Sequence, residues 1–187
     1  MTKPGDVIEN PVTGMTVTII QTAAETNGRS TVIEYLLPPH AGRKATAPHR
    51  HRRYTERFEI LGGRAAYIIG SQEMTAGAGE AILVPSDTTH VHPWNISDEP
   101  LRVRQATEAI EPDVAGLTAA LAAVEKNFAL ARASKVDADG RPALLQAAVL
   151  LDALLPDNYL AGIPLPMQRI VIGGLAAVGR RRGYSPA

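Results

Sequence analysis

Four of the five histidines in this 187-residue chain fall into two short stretches. His49 and His51 open HRHRRYTERFEILGG, residues 49 to 63, and His90 and His92 lie in VPSDTTHVHPWN, residues 84 to 95. Along a strand, residues two apart point the same way, so each pair presents two imidazoles on one face. Glu56 stands five residues beyond His51, an odd offset that would aim it to the opposite face of one continuous strand. The chain must therefore turn between them. RRYT, residues 52 to 55, can form that turn, and a strand beginning at Glu56 returns its carboxylate to the same point. Phe58 and Ile60 then follow inward, leaving Arg57 and Glu59 outside. In the second stretch a turn at Ser86 and Asp87 leads into a short strand that points His90 and His92 one way.

His49, His51, His90 and the Glu56 carboxylate make a nitrogen and oxygen donor set suited to one divalent transition metal: Fe, Mn, Ni, Cu or Zn. The chain has no cysteine, which excludes disulfides, thiolate ligands and a cysteine nucleophile. His92 is open to two readings, a second inward imidazole acting as acid or base beside Glu56, or a rim histidine bonded to backbone. Arg50, Arg52, Arg53 and Arg57 alternate with the ligands, but parity turns Arg50 and Arg57 away from the interior and leaves Arg52 and Arg53 in the turn. A solvated or interface role suits them better than substrate binding. Trp94 and Tyr67 read as packing or rim aromatics and His40 as a loop residue. Glu34, Tyr35 and Gln105 lie on strands that can line a cavity, in a register that sequence does not fix.

The elements that must hold these side chains change character near Glu111 and Pro112. Before that point come short runs rich in Val, Ile, Thr and Tyr: residues 15 to 22, 30 to 37, 56 to 61, 65 to 70, 81 to 85 and 101 to 107, punctuated by Gly, Pro, Asn and Asp. Such a pattern predicts an antiparallel sandwich or barrel. After it, Val114, Leu117, Leu121, Val124, Phe128 and Ala131 recur at spacings of three and four, one face of a helix. A second helix is expected from Pro142 to Leu155 and a third from about Leu165 to Val178, with PDNYLAGIPLP between them. The division is a mainly β domain at residues 1–110 and a bundle of about three helices at 111–187. These helices are apolar enough to pack on the barrel, over its mouth or on a second subunit.

Nineteen basic residues balance nineteen acidic ones, so no electrostatic footprint for nucleic acid or an anionic membrane is present. The N-terminal residues lack the apolar core of a signal peptide, no run approaches the roughly 18 apolar residues of a span, and a cytoplasmic location is expected. The ten residues IVIGGLAAVG, 170 to 179, are too few to span a bilayer and read as a buried helix.

At these residues the chain resembles the cupin superfamily, small β-barrels (double-stranded β-helix or jelly roll) whose two motifs supply three histidines and a glutamate to one metal. His49, His51, Glu56 and Gly63 match the first motif, and Gly79, Pro85, His90 and Asn95 follow the second. There are three departures. Gly42 stands one residue early, Asp87 replaces a turn glycine, and four residues rather than three separate His90 from Asn95. The resemblance implies metal ligation by His49, His51, Glu56 and His90, with His92 the alternative to His90; Glu56 and His92 are the candidate catalytic groups, either of which can move protons. The branch it points to is quercetin dioxygenase-like, with polyketide cyclases and isomerases among similar members. The implied function is a metal-dependent, dioxygenase-like oxidoreductase acting on a small aromatic or enolic, polyketide-like molecule held in the barrel. Isomerase, cyclase or lyase chemistry with the metal as Lewis acid is the alternative, and a non-catalytic small-molecule-binding barrel is a third reading. Cupin barrels often pair through their sheets, which implies a homodimer.

Overall fold

The computed structural model describes residues 2–186. Strands β1 (Val7–Glu9), β2 (Thr16–Gln21), β3 (Ser30–Leu37), β4 (His49–His51), β5 (Tyr54–Gly62), β6 (Arg64–Ile69), β7 (Gln72–Gly77), β8 (Ala81–Val84), β9 (His90–Asn95) and β10 (Leu101–Ala109) come first. Helices α1 (Val114–Arg132) and α2 (Leu144–Leu154), strand β11 (Asn158–Leu160) and helix α3 (Leu165–Arg181) follow. Two antiparallel sheets face each other, one ordered β1-β2-β3-β10-β5-β8 and the other β11-β4-β9-β6-β7.

Alternation builds the interior. Along β10, Leu101, Val103 and Gln105 are buried while Arg102 and Arg104 are exposed. In β5, Phe58 and Ile60 enter the same apolar core as Val17, Tyr35 and Leu101, whereas Arg57 and Glu59 pair outside at 2.9 Å. Glu34 is also outside, bound to Arg104 at 2.6 Å. Exposed pairs of this kind contribute at most about 1 kcal/mol each; burial of the inward apolar row is what drives closure. Gly63, at φ +79°, makes the β5–β6 turn, and a side chain there would meet Pro100 O at 2.8 Å. Only glycine suits both demands.

All three expected helices form. Asp113 caps α1, accepting from Gly116 N at 2.9 Å, and Leu121, Val124 and Phe128 of α1 pack against the barrel core. Leu117 instead joins Tyr54 and Ala23 in a smaller cluster. Helix α2 begins at Leu144 rather than Pro142, because Pro142 bridges to Val136 across the preceding loop. Helices α2 and α3 approach closely at Gly179, where a Cβ would lie 2.8 Å from Leu145 O.

Two expectations are corrected. The stretch between α2 and α3 contains β11, which has no local strand pattern and exists through its pairing with β4. And α1, 19 residues long with a window of mean hydropathy 1.3, is long and apolar enough to cross a membrane by length and composition. Alanine raises that mean although Glu125 and Lys126 interrupt the run, and Leu117, Phe128 and Ala131 are buried against the rest of the chain.

Candidate metal centre

His49, His51, Glu56, His90 and His92 converge inside the barrel, with one ligand atom of each lying within 4.8 Å of all the others. The local folding that brings them there follows the expected parity. Strand β4 ends at His51, the chain bends at Arg52 and Arg53, and β5 restarts at Tyr54, two residues earlier than expected. Glu56 thereby sits opposite Thr107 of β10 and points inward.

On the second stretch, Asp87 takes the left-handed conformation, φ +55°, where its N–H donates to His51 O at 2.7 Å. The residue that replaces the turn glycine thus keeps the glycine's backbone. The extra residue between His90 and Asn95 is absorbed within the β6–β9 ladder. Ala66 pairs with Trp94 and Ile68 with Val91, so two steps on β6 span three on β9. This is a β-bulge at His92 and Pro93. It places Val91 and Trp94 together in one cluster with Ala66 and Ile68, and leaves both His90 and His92 inside. Trp94 is a packing residue under the Arg43 guanidinium, 4.4 Å from its ring; Tyr67 packs against the core. His40 is an exposed loop residue paired with Asp98 at 2.8 Å.

Three imidazoles are anchored from behind. His49 Nδ1 donates to Ala47 O at 2.8 Å, His90 Nδ1 donates to Thr88 O at 2.9 Å, and His51 Nδ1 donates to Asn158 Oδ1. In the neutral tautomer this selects, each Nε2 lone pair faces the centre. Glu56 is anchored in the same sense: Gln105 Nε2 donates to its Oε1 at 2.8 Å and Thr107 Oγ1 donates to the same oxygen at 3.4 Å. Its Oε2 faces the imidazoles, 2.9 Å from His90 Nε2, 3.2 Å from His51 Nε2 and 3.3 Å from His92 Nε2. His92 differs from the rest. Its Nε2 is close to Glu56 but out of hydrogen-bonding alignment, and is a buried nitrogen without a hydrogen-bond partner.

Charge states follow from these surroundings. Burial alone would raise the Glu56 carboxyl, but the neighbouring His92 and His51, and the close approach of the His51 and His90 rings to its carboxylate, favour the ionised form and hold it well below the usual range. Burial, reinforced by His92, His90 and His51, pushes His49 well below an ordinary imidazole. Burial likewise lowers His92 against the pull of Glu56. His51 is raised, because Glu56 outweighs its burial. An ionised carboxylate among largely neutral imidazoles is the protonation state a cation needs from its ligands.

The structure also sorts the residues whose register sequence left open. Gln105 faces the site, Tyr35 faces the interior, and Glu34 faces out. The Tyr35 hydroxyl is buried with no hydrogen-bond partner, and burial with the nearby Glu56 charge keeps its phenol well above the usual range. Arg50 turns outward and donates from Nε to Thr89 Oγ1 at 2.7 Å. Arg53 binds Asp157 and Asp113, an intrachain interface role. Asn158 carries no sequence signal at all, since its place beside His51 depends on a contact 107 residues away.

Residues 35–106 match the family model of the cupin domain. Among solved structures the fold is similar to a predicted oxalate decarboxylase from Thermotoga maritima, at 16% identity over 57% of this chain and 92% of that one, with a TM-score of 0.48. It is also similar to KdgF from Halomonas sp., at 15% identity over 58% and 84% with a TM-score of 0.42. A third is Pac13 from Streptomyces, described as a nucleoside dehydratase, at 14% identity over 52% and 71% with a TM-score of 0.40. No curated protein matches the chain.

Proposed function

We propose that this barrel, whose residues 35–106 match the cupin-domain model, holds one divalent transition metal and turns over a small aromatic or enolic molecule bound beside it. One observation carries this reading. The Nε2 atoms of His49 and His51 lie 3.1 Å apart, with both Nδ1 atoms already donating to oxygen. Together with Glu56 Oε2 and His90 Nε2 they place lone pairs against lone pairs, an arrangement that a shared cation relieves. Metal–nitrogen bonds of about 2.0–2.1 Å put ligand atoms on one ion at most about 4.2 Å apart, close to the observed spread of within 4.8 Å.

His49, His51, Glu56 and His90 would hold such an ion, which would supply Lewis-acid or redox chemistry to a substrate oxygen. The rest falls to the chain. Gln105 and Thr107 hold Glu56 in place, and the three Nδ1 anchors hold the imidazoles, so the donor set is preorganised. His92 has its Nε2 unpartnered and its side chain 24% exposed. It is suited to take a proton from a substrate hydroxyl or an acidic carbon. Tyr35 keeps a protonated hydroxyl in the interior near Glu56, and Phe58 sets its ring 5.0 Å from that of His92, an apolar neighbour for the site.

The first reading is dioxygenase-like oxidation. The second, isomerisation, cyclisation or elimination without an oxidant, is favoured by His92, because an unanchored neutral imidazole fits proton transfer in either direction. The test loads the protein with Fe, Mn, Ni, Cu or Zn and supplies flavonols and enolic ketones. Oxygen uptake supports the first reading; anaerobic product formation with Zn supports the second. A protein that takes up metal but converts none of them is left as a small-molecule-binding barrel.

A further inference from the structure

The ligand strand β4 is poorly held on its β9 side. It has a single registered pair with β9, His49 with His90, against three with β11: His51 with Asn158, Arg50 with Tyr159 and His49 with Leu160. The segment around β11 fastens both motif stretches, residue by residue. Asp157 accepts from Arg53 Nε at 2.8 Å and Nη2 at 2.6 Å, and its carbonyl takes Arg52 N at 2.9 Å. Asn158 Oδ1 takes the His51 Nδ1 proton. Tyr159 donates to Asp87 Oδ1 at 2.5 Å, reaching the turn before His90. Ala161 N donates to Pro48 O at 2.9 Å. The other end is tied to α3, where the buried Gln168 accepts from Leu160 N at 3.0 Å and donates to Leu160 O at 2.8 Å.

We propose that the segment 157–161 is a strap that completes the metal centre, with Asn158 as a positioning residue for His51, so that metal retention depends on the C-terminal region being docked. The inference rests on the metal-binding reading above and deepens it, because it assigns control of the site to a part of the chain outside the barrel. The chemistry is specific. An acceptor at Asn158 fixes the Nδ1–H tautomer and aims Nε2 at the centre; without it the ring can rotate, or protonate Nε2 in place of Nδ1. Outer-shell partners of ligating histidines typically contribute about 10- to 100-fold in metal affinity. Linkage makes the coupling reciprocal: metal must tighten the strap as much as the strap tightens metal.

The experiment uses the full chain and Zn(II), with affinity read by chelator competition. Asn158→Ala is expected to bind about 10- to 100-fold more weakly, and Asn158→Asp, which keeps an acceptor, to recover most of the loss. Hydrogen exchange on the wild-type protein supplies a reading that needs no variant: Zn(II) is expected to slow exchange at Arg52 N and Ala161 N, the amides that tie the strap to the chain around β4. If the wild type binds Zn(II) while N158A binds equally well, or while those amides exchange at unchanged rates, the strap is decoupled from the site and the inference fails. If N158D binds as weakly as N158A, packing rather than ligand positioning explains the loss, and the role of Asn158 is overturned. A wild-type protein that takes up no metal removes both this inference and the reading it rests on.

Discussion

Gln105 Nε2 lies 2.8 Å from Glu56 Oε1, and this bond orients the carboxylate so that its other oxygen faces the histidines. Both residues are buried. Replacing Gln105 by Leu removes the donor while keeping volume, so Glu56 loses its chief support. The folded protein is expected to lose about 1–3 kcal/mol, read by urea unfolding, and Zn(II) affinity to fall about tenfold, read by chelator competition. Unchanged values of both would show that Glu56 is oriented by other contacts.

Acid is expected to unload the metal and weaken the metal-free fold. His49 and His92 are lowered in the folded state. Below the unfolded value of about 6.5 the unfolded chain therefore binds more protons, and stability falls as pH drops. Glu56, lowered too, adds stability present above its unfolded value of about 4.3, lost as pH falls through its folded value. His51 runs the other way: raised when folded, it contributes most below about 6.5 and loses that as pH rises through its folded value. Two lowered imidazoles against one raised one give a net decline on acidification from about pH 7 to 5. Thermal melts of metal-free protein across that range check the sign.

His92→Asn separates ligation from proton transfer. The anchored set of His49, His51, Glu56 and His90 is intact in this variant, so Zn(II) affinity is expected to stay within about threefold. Turnover of whichever substrate the loaded protein accepts should fall by about 10²- to 10⁴-fold. A parallel loss of metal would make His92 a ligand instead.

Asp87 combines a left-handed backbone with a side-chain bond to Tyr159. Asp87→Gly and Asp87→Val both lose the bond, so the difference between them isolates the backbone. Asp87→Val is expected to be less stable than Asp87→Gly by about 1–2 kcal/mol. Equal stabilities by urea unfolding would mean that the turn relaxes to another conformation.

Phe128 is the residue by which α1 enters the barrel core. Truncation to Ala is expected to cost about 3–5 kcal/mol, measured by denaturant midpoint at constant m. A cost below about 1 kcal/mol would indicate that the barrel stands without α1.

Strand parity made much of the site legible before any fold was known. His49 and His51 on one face, a break before Glu56, and Phe58 and Ile60 inward all follow from the local backbone alone, while the special turn at Asp87 follows from the resemblance, which has glycine there. The helices were legible for the same reason, since a spacing of three and four is a local property. What depends on distant pairing was not. The register that turns Tyr35 and Gln105 inward and Glu34 outward is set by how β3 and β5 flank β10, and a one-residue slip would reverse it. The bulge that seats His92 beside His90 is visible in sequence only as one surplus residue; its position comes from the β6 ladder. Asn158 and its three-residue strand have no pattern of their own and acquire a role only because they pair with the edge of β4 that β9 leaves open. Sequence determined which atoms can bind a metal, because that is the chemistry of residue type and alternation. The tertiary structure decided which atoms hold those ligands in place, because hydrogen bonds to a histidine's far nitrogen come from wherever the chain happens to return.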